Sequence, residues 1–255
     1  MTKQIPDASL QSRERSVGLL TDMVAFWDAQ DSKVAVPIFD GGVLTGVAIQ
    51  AQVEHATRLT EAVLLLVRGG LFIQIAPLVR MAMECGVSAA WWTLNPTNLK
   101  GSLEEAARLK SALMKGMGNL VGEPNATHPD WGSIGQKFAG FSSGQAKSLE
   151  QRCRALAGGE SLYSYYRLLS ESSHGGVAIV DEYVHSIPVS NEWPHGVAFI
   201  RHAPYKYLDE VLKVNAIVLG LAFRAWDDFS IGQPNSAKID AFAELMGAEI
   251  VVAPA

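Results

Sequence analysis

Arg167 and His174 are the residues whose types and spacing most directly suggest chemistry. In a helix, seven residues turn through about 700°, so the two side chains would share a face about 10 Å apart along the axis. A guanidinium can hold a phosphate, and an imidazole can move a proton near neutral pH. Metal-free cleavage of RNA by its own 2′-hydroxyl needs both functions. The pair is therefore the candidate catalytic site.

His174 precedes two glycines, a strong stop signal, so we expect it at the C-terminus of a helix. The helix dipole there favours imidazolium and would help to keep a proton-donating form near neutral pH. The same residues also have a purely structural interpretation. In that case His174 bonds to the neighbouring backbone, and Arg167 pairs with Glu84 or Glu171.

A second polar pair, Arg80 and Glu84, interrupts an otherwise apolar helical segment. Because the two residues stand four apart, they share a helix face about one turn apart and can neutralise each other. The sequence therefore predicts a buried structural ion pair at this position.

The two polar segments together resemble a known pattern. Arg80-x-x-x-Glu84, followed by Tyr-Arg-x-Leu-Ser-x-x-x-His-Gly from Tyr166 onward, resembles an uncharacterised bacterial family of helical domains of unknown function, over about residues 63–176. That family implies no activity. The Arg–His stretch also resembles the HEPN helical domains, whose Arg–His motif serves metal-independent RNases in toxin and defence systems and acts across a dimer.

The HEPN resemblance implies that Arg167 and His174 are catalytic, that no cofactor is needed and that the protein forms a homodimer. It also implies an endoribonuclease with a role in bacterial stress or phage defence. The remaining polar residues of the two motifs are candidate binding residues: Arg80, Glu84, Tyr166, Ser170 and Glu171.

Two other functions stay open at this point, so the sequence does not decide whether the protein is an enzyme. Glu171-x-x-His174 and Glu182-x-x-His185 each place a carboxylate and an imidazole three residues apart, as in dimetal-carboxylate bundles. A single-metal site would take a further ligand from elsewhere in the chain: Glu54, His55 or His202. The other alternative is a non-enzymatic helical module that oligomerises or binds a partner through its apolar faces and the loop at 186–204.

Composition limits the partners and the compartment. The chain has 255 residues, of which 48% are hydrophobic and 18% charged, and a formal charge of −5. This excludes a disordered chain and general coating of DNA, so any contact with RNA must come from a local patch. Two cysteines without metal-type spacing and an N-terminus without an apolar signal region favour the cytoplasm. The apolar stretch from Val63 to Met83 contains Arg68 and two glycines and is not expected to span a membrane.

Helical periodicity runs through most of the chain, and strand alternation is nearly absent. We therefore predict one all-α domain over residues 1–255, a bundle of about seven helices. A connection is expected at 31–46, a surface excursion at 122–144, a short helix or strand at 177–185, and an irregular loop at 186–204 before the last long helix. The predicted helices cover about 9–30, 44–68, 71–93, 102–117, 145–156, 161–174 and 205–229, with a weaker one at 237–246.

Overall fold

The structure is a computed structural model that describes residues 7–30, 42–121, 131–174 and 176–255. It is 71% helical, and its described residues form eleven helices and one two-stranded sheet. The all-α class is confirmed, whereas the seven-helix count is not, because short helices appear between the long ones. Residues 31–41 of the predicted connection at 31–46 lie outside the described residues, as does the part of the surface excursion at 122–130. Residues 42–46 are helical, so the connection is wrong over that part.

The bounds of the elements follow the hydrophobic periodicity closely for the long helices. The helices are α1 (Asp7–Asp28), α2 (Gly42–Arg68), α3 (Ile75–Leu94), α4 (Thr97–Val121), α5 (Trp131–Lys137), α6 (Gly144–Lys147), α7 (Leu149–Arg154), α8 (Gly159–Ser173), α9 (Val177–Tyr183), α10 (Leu208–Phe229) and α11 (Ser236–Met246). The strands are β1 (Val184–Ser186) and β2 (Val197–Phe199).

Helices α3 and α10 form the centre of the molecule and are buried along most of their length. They pack against each other and against α2. A glycine makes the closest part of this contact possible, since a Cβ at Gly86 would lie only 2.7 Å from the carbonyl oxygen of Val218. The core thus forms around α3, an apolar helix that is covered on several sides by α2, α8 and α10.

Two helices begin at residues other than the predicted ones, 71 and 102. Helix α3 begins at Ile75, so Pro77 lies in the first turn, where its missing N–H leaves no hydrogen bond unmade. Helix α4 begins at Thr97, and the expected start at Ser102 is wrong. Ser102 instead lies inside α4 and accepts a hydrogen bond from Trp92 Nε1 at 3.0 Å.

The segment at 177–204 is more regular than its composition predicts. Both alternatives for 177–185 occur in turn, because α9 is followed directly by β1. The expected irregular loop at 186–204 contains β2, which pairs antiparallel with β1 so that Val184 faces Phe199 and Ser186 faces Val197. Strands of three residues are too short for the alternation signal that would reveal them in a sequence.

Helix α8, which carries the second motif, packs against α3, which carries the first. Helix α7 contacts both. No helix within the described ranges combines the length and the apolar character that crossing a membrane requires.

Candidate functional site

The packing of α8 on α3 brings the two polar segments into one group, which we call the Arg80 cluster: Arg80, Glu84, Tyr166 and His174. Arg80 lies at its centre. Its Nη2 donates to the Tyr166 hydroxyl at 2.7 Å, and its Nη1 lies 3.3 Å from His174 Nε2. The Tyr166 hydroxyl in turn donates to Glu84 Oε1 at 3.0 Å. Residues that are 94 positions apart in the chain therefore share one guanidinium.

Within α3, the spacing of four residues places Arg80 and Glu84 one turn apart, with Arg80 Nε 3.6 Å from Glu84 Oε1. The predicted ion pair is confirmed. It is less buried than expected, since the Arg80 side chain is 24% exposed and that of Glu84 is 45% exposed. The guanidinium also lies over the Tyr166 ring, with its central carbon 4.8 Å from the ring centroid.

The Tyr166 hydroxyl keeps its proton at neutral pH. Burial raises its pKa, and the hydrogen bond from Arg80 acts in the opposite direction. A protonated phenol can accept from the guanidinium and donate to the carboxylate at the same time, which is the arrangement observed. Tyr166 therefore fixes the orientation of both charged groups.

His174 lies one residue beyond α8, with an extended backbone (φ −102°, ψ 142°). The argument from a shared helix face therefore does not apply to it, because the helix ends before it. An arginine can only donate, so the contact with Arg80 uses the lone pair of Nε2 and places the ring proton on Nδ1. The His174 side chain is exposed.

Arg167 does not join the Arg80 cluster. It is exposed and makes no hydrogen bond or ion pair with the rest of the described chain, and it interacts electrostatically with Tyr163. The structural alternative, in which Arg167 pairs with Glu84 or Glu171, is also not observed, since Glu84 pairs with Arg80. A catalytic role for Arg167 stays a prediction.

Ser170 and Glu171 do not join the Arg80 cluster. The Ser170 hydroxyl donates to the carbonyl of Tyr166 at 2.7 Å, one turn earlier in α8. Glu171 is exposed, and within the residues the structure describes it forms no hydrogen bond with the cluster. Their predicted binding role is untested.

The metal alternative finds no geometric support. Among the residues that the structure describes, no three His, Cys, Asp or Glu side chains converge as ligands would. His185 Nε2 lies 3.2 Å from the backbone carbonyl oxygen of Glu182, three residues earlier, and contacts the backbone rather than the carboxylate of that residue.

The sequence analysis missed Arg152, which extends the polar region on the other side of Glu84. Arg152 Nη1 donates to Ser88 Oγ at 2.8 Å, and Ser88 donates to the carbonyl of Glu84 at 2.6 Å. Arg152 and Ser88 are 64 positions apart, and no spacing rule connects them. Cys85 lies beside them, and burial raises the pKa of its thiol to about 12, which fits a core residue rather than a nucleophile.

Comparisons with protein-family models, with curated proteins and with solved structures found no match to this chain. The resemblance to the bacterial helical family and to HEPN domains therefore stays a prediction, and the geometry of the Arg80 cluster is what the functional argument rests on.

Proposed function

We propose that the protein is a metal-independent endoribonuclease in which Arg80 and His174 act on the scissile phosphate. The observation that carries the proposal is the contact of one half-buried guanidinium with an exposed imidazole and with the Tyr166 hydroxyl. It joins a phosphate-binding group, a proton acceptor and a proton donor within one small site. The arginine of the catalytic pair is thus Arg80 rather than Arg167.

His174 is the general base of this reaction. Its Nε2 lone pair takes the proton from the 2′-hydroxyl of the substrate when Arg80 turns its Nη1–H toward a phosphate oxygen. The 2′-oxygen then forms a bond to phosphorus, and the bond from phosphorus to the 5′-oxygen breaks. The products are a 2′,3′-cyclic phosphate and a 5′-hydroxyl end, and no water, metal or cofactor enters the balance.

Tyr166 supplies the proton to the departing 5′-oxygen. Burial keeps its pKa raised, so the hydroxyl is protonated at the start of the reaction. Glu84, which accepts from that hydroxyl at 3.0 Å, positions Tyr166 and Arg80. Arg80 stabilises the negative charge that develops on the non-bridging oxygens, the largest contribution expected from such a group.

The test is cleavage of an end-labelled single-stranded RNA by the purified full chain in EDTA. We expect product strands that end in a 2′,3′-cyclic phosphate, and no cleavage at a position where the substrate carries a 2′-deoxy sugar. His174→Ala should lose about 100-fold or more of the rate, the usual contribution of a general base. Arg80→Ala should lose a comparable amount.

Two matched arginine variants make the assignment sharp. Arg154→Ala removes an exposed guanidinium that pairs with Glu150, outside the cluster, and should leave the rate unchanged. Arg167→Ala tests the alternative arginine of the motif. Absence of cleavage in every RNA tested would exclude the proposal, and loss of activity in Arg167→Ala but not in Arg80→Ala would exclude the role of Arg80.

In a bacterial host, a stress or defence role predicts growth arrest with the wild type and not with His174→Ala.

A different observation favours a second candidate function, self-association. The outer face of the β1–β2 hairpin and the adjoining helix α9 expose apolar side chains, among them Val177 at 76% and Phe199 at 66%. Neither strand contains an acidic residue, and the two acidic residues of α9, Asp181 and Glu182, lie outside the strands, so the strands of a second copy could meet these strands without direct charge repulsion despite the net charge of −5. We propose that the hairpin face is a contact between two copies.

Light scattering after size exclusion tests this second candidate. The wild type should elute as a dimer, and Phe199→Glu should be monomeric with unchanged helical content. Leu245→Glu, at an equally exposed apolar position in α11, is the control and should leave the dimer intact. A monomeric wild type at high protein concentration would exclude the hairpin contact without touching the nuclease proposal.

A further inference from the structure

A cavity of about 340 Å³ opens beside Glu84 and is lined by residues of α3, α4 and α7 among others. Apolar side chains of α3 and α4 line one part of it, with Trp92, Met81 and Leu109. Its polar lining includes Ser88 and two cations, Arg152 and Lys147. The cavity therefore combines cationic groups with an apolar surface, and its volume is within the size range of small-ligand pockets.

The guanidinium of Arg152 is held rigidly at this wall. Its Nε donates to the carbonyl of Gln145 at 2.9 Å, its Nη2 to the carbonyl of Ala146 at 2.9 Å and its Nη1 to Ser88 Oγ at 2.8 Å. An arginine has five N–H donors, so the three bonds leave two for another acceptor. The group is thus pre-organised and still able to donate.

The positive charge of Arg152 has no directly bonded counter-charge. The acceptors of its hydrogen bonds are all neutral oxygens, and no carboxylate of the described residues forms an ion pair with it. Burial lowers the pKa of Arg152, and the charge of Glu84 opposes this at longer range. A partly buried cation of this kind is stabilised when an anion approaches it.

The two carboxylates that line the cavity each have their own cation. Glu84 pairs with Arg80, and Glu105 pairs with Arg108. Their charges nevertheless favour an incoming ligand with one negative charge over one with two. The apolar wall favours a ligand whose remaining atoms are hydrocarbon.

We propose that this cavity binds a small monocarboxylate with an apolar body. The carboxylate accepts from the two remaining N–H groups of Arg152, and the apolar body packs against Trp92, Met81 and Leu109. Glu84 lines this cavity and also belongs to the Arg80 cluster, but the proposed ligand contacts do not involve Arg80, Tyr166 or His174, so ligand binding and RNA cleavage can be tested independently.

The probe is phenylacetate, compared with benzyl alcohol and benzylamine, which keep the ring and change only the charge. The indole N–H resonance of Trp92, identified by its loss in Trp92→Phe, reports binding to the ¹⁵N-labelled full chain. Phenylacetate should shift this resonance in a saturable manner, whereas benzylamine should not shift it. Benzyl alcohol should bind about tenfold more weakly or worse, because it lacks the charge-assisted bonds.

Three variants separate the site from nonspecific effects. Arg152→Gln should weaken phenylacetate by about tenfold or more. Arg154→Gln, two residues further along and outside the cavity, should bind as the wild type does. Ala106→Leu fills the cavity from α4 while leaving Arg152 in place, and it should abolish binding without loss of helical content.

Equal binding of phenylacetate and benzyl alcohol would overturn the proposal, as would unchanged affinity in a folded Arg152→Gln. If Arg152→Gln fails to fold, Ala106→Leu decides the question, since binding that survives a filled cavity places the ligand elsewhere. Absence of any shift of the Trp92 resonance at millimolar phenylacetate would also exclude the site.

Discussion

Removal of one hydroxyl, in Tyr166→Phe, tests the central geometric claim about the Arg80 cluster. The change leaves the ring and its contact with the guanidinium in place. It removes the bond accepted from Arg80 at 2.7 Å and the bond donated to Glu84 at 3.0 Å. Arg80 would then lose a partner at Nη2, and its buried Nε already has no hydrogen-bond acceptor within hydrogen-bonding distance in the described structure.

The magnitude follows from the type and the burial of the lost bonds. Hydrogen bonds to charged groups contribute about 1.5–3 kcal/mol each when they are well buried. Because the Glu84 side chain is 45% exposed, solvent screens its share, and we expect a total loss of about 1.5 kcal/mol in the free energy of unfolding. Urea denaturation followed by circular dichroism measures this as a lower midpoint with an unchanged slope.

Tyr165→Phe provides the matched control for this experiment. Tyr165 precedes Tyr166 in α8, is 39% exposed, and its hydroxyl makes no hydrogen bond with the described part of the chain. The same chemical change there should alter the free energy of unfolding by less than about 0.5 kcal/mol. If the two variants unfold at the same urea concentration, the hydroxyl of Tyr166 does not join Arg80 to Glu84 and the reasoning fails.

The remaining predictions concern the buried thiols and the packing of the two central helices. Burial raises the pKa of Cys85 from 9.0 to about 12 and that of Cys153 from 9.0 to about 11. Because these folded pKa values lie above the unfolded ones, the stabilisation is complete below pH 9 and is lost as the pH rises toward 12. Unfolding free energy measured across that range should therefore fall, and it should fall less in Cys85→Ala; a parallel fall would refute the assignment. Both thiols should react with a thiol reagent at pH 8 only after urea is added. Gly86→Ala should cost about 1–3 kcal/mol, since the new Cβ would lie 2.7 Å from the carbonyl oxygen of Val218. Gly18→Ala in α1, where the added Cβ meets no atom within 4 Å, should instead be neutral or stabilising, and equal destabilisation of both variants would contradict the close helix approach.

The long helices are predictable because their signal is local. The pattern of apolar residues predicts a helix at 44–68, and α2 runs from Gly42 to Arg68; it predicts one at 237–246, and α11 runs from Ser236 to Met246. A local signal fails at the start of α4. Ser102 and Glu105 have the spacing of a capping box, which predicts a helix start at Ser102, but both residues lie inside the helix. Their side chains bond to Trp92 and Arg108 instead, so tertiary contacts explain these residue types.

In the candidate site too, some contacts follow from local helix geometry and others depend on tertiary packing. The ion pair of Arg80 with Glu84 follows from helix geometry alone and is present. The pairing of Arg167 with His174 depends on the helix continuing through residue 174, and α8 ends one residue earlier. Arg152 has no sequence signal at all, because its partners come from a different helix and from backbone carbonyls.

Local patterns in the amino-acid sequence are sufficient to predict that the protein is helical, where most of the long helices run and which polar residues interrupt apolar segments. These properties depend on interactions between residues three and four positions apart, which any stretch of chain expresses alone. The contact of His174 with Arg80 rather than Arg167, and the cavity that Arg152 and Glu84 both line, depend on the tertiary structure. Contacts between α3, α7 and α8 join residues from distant parts of the chain, and they depend on how whole helix faces pack, which no local pattern records.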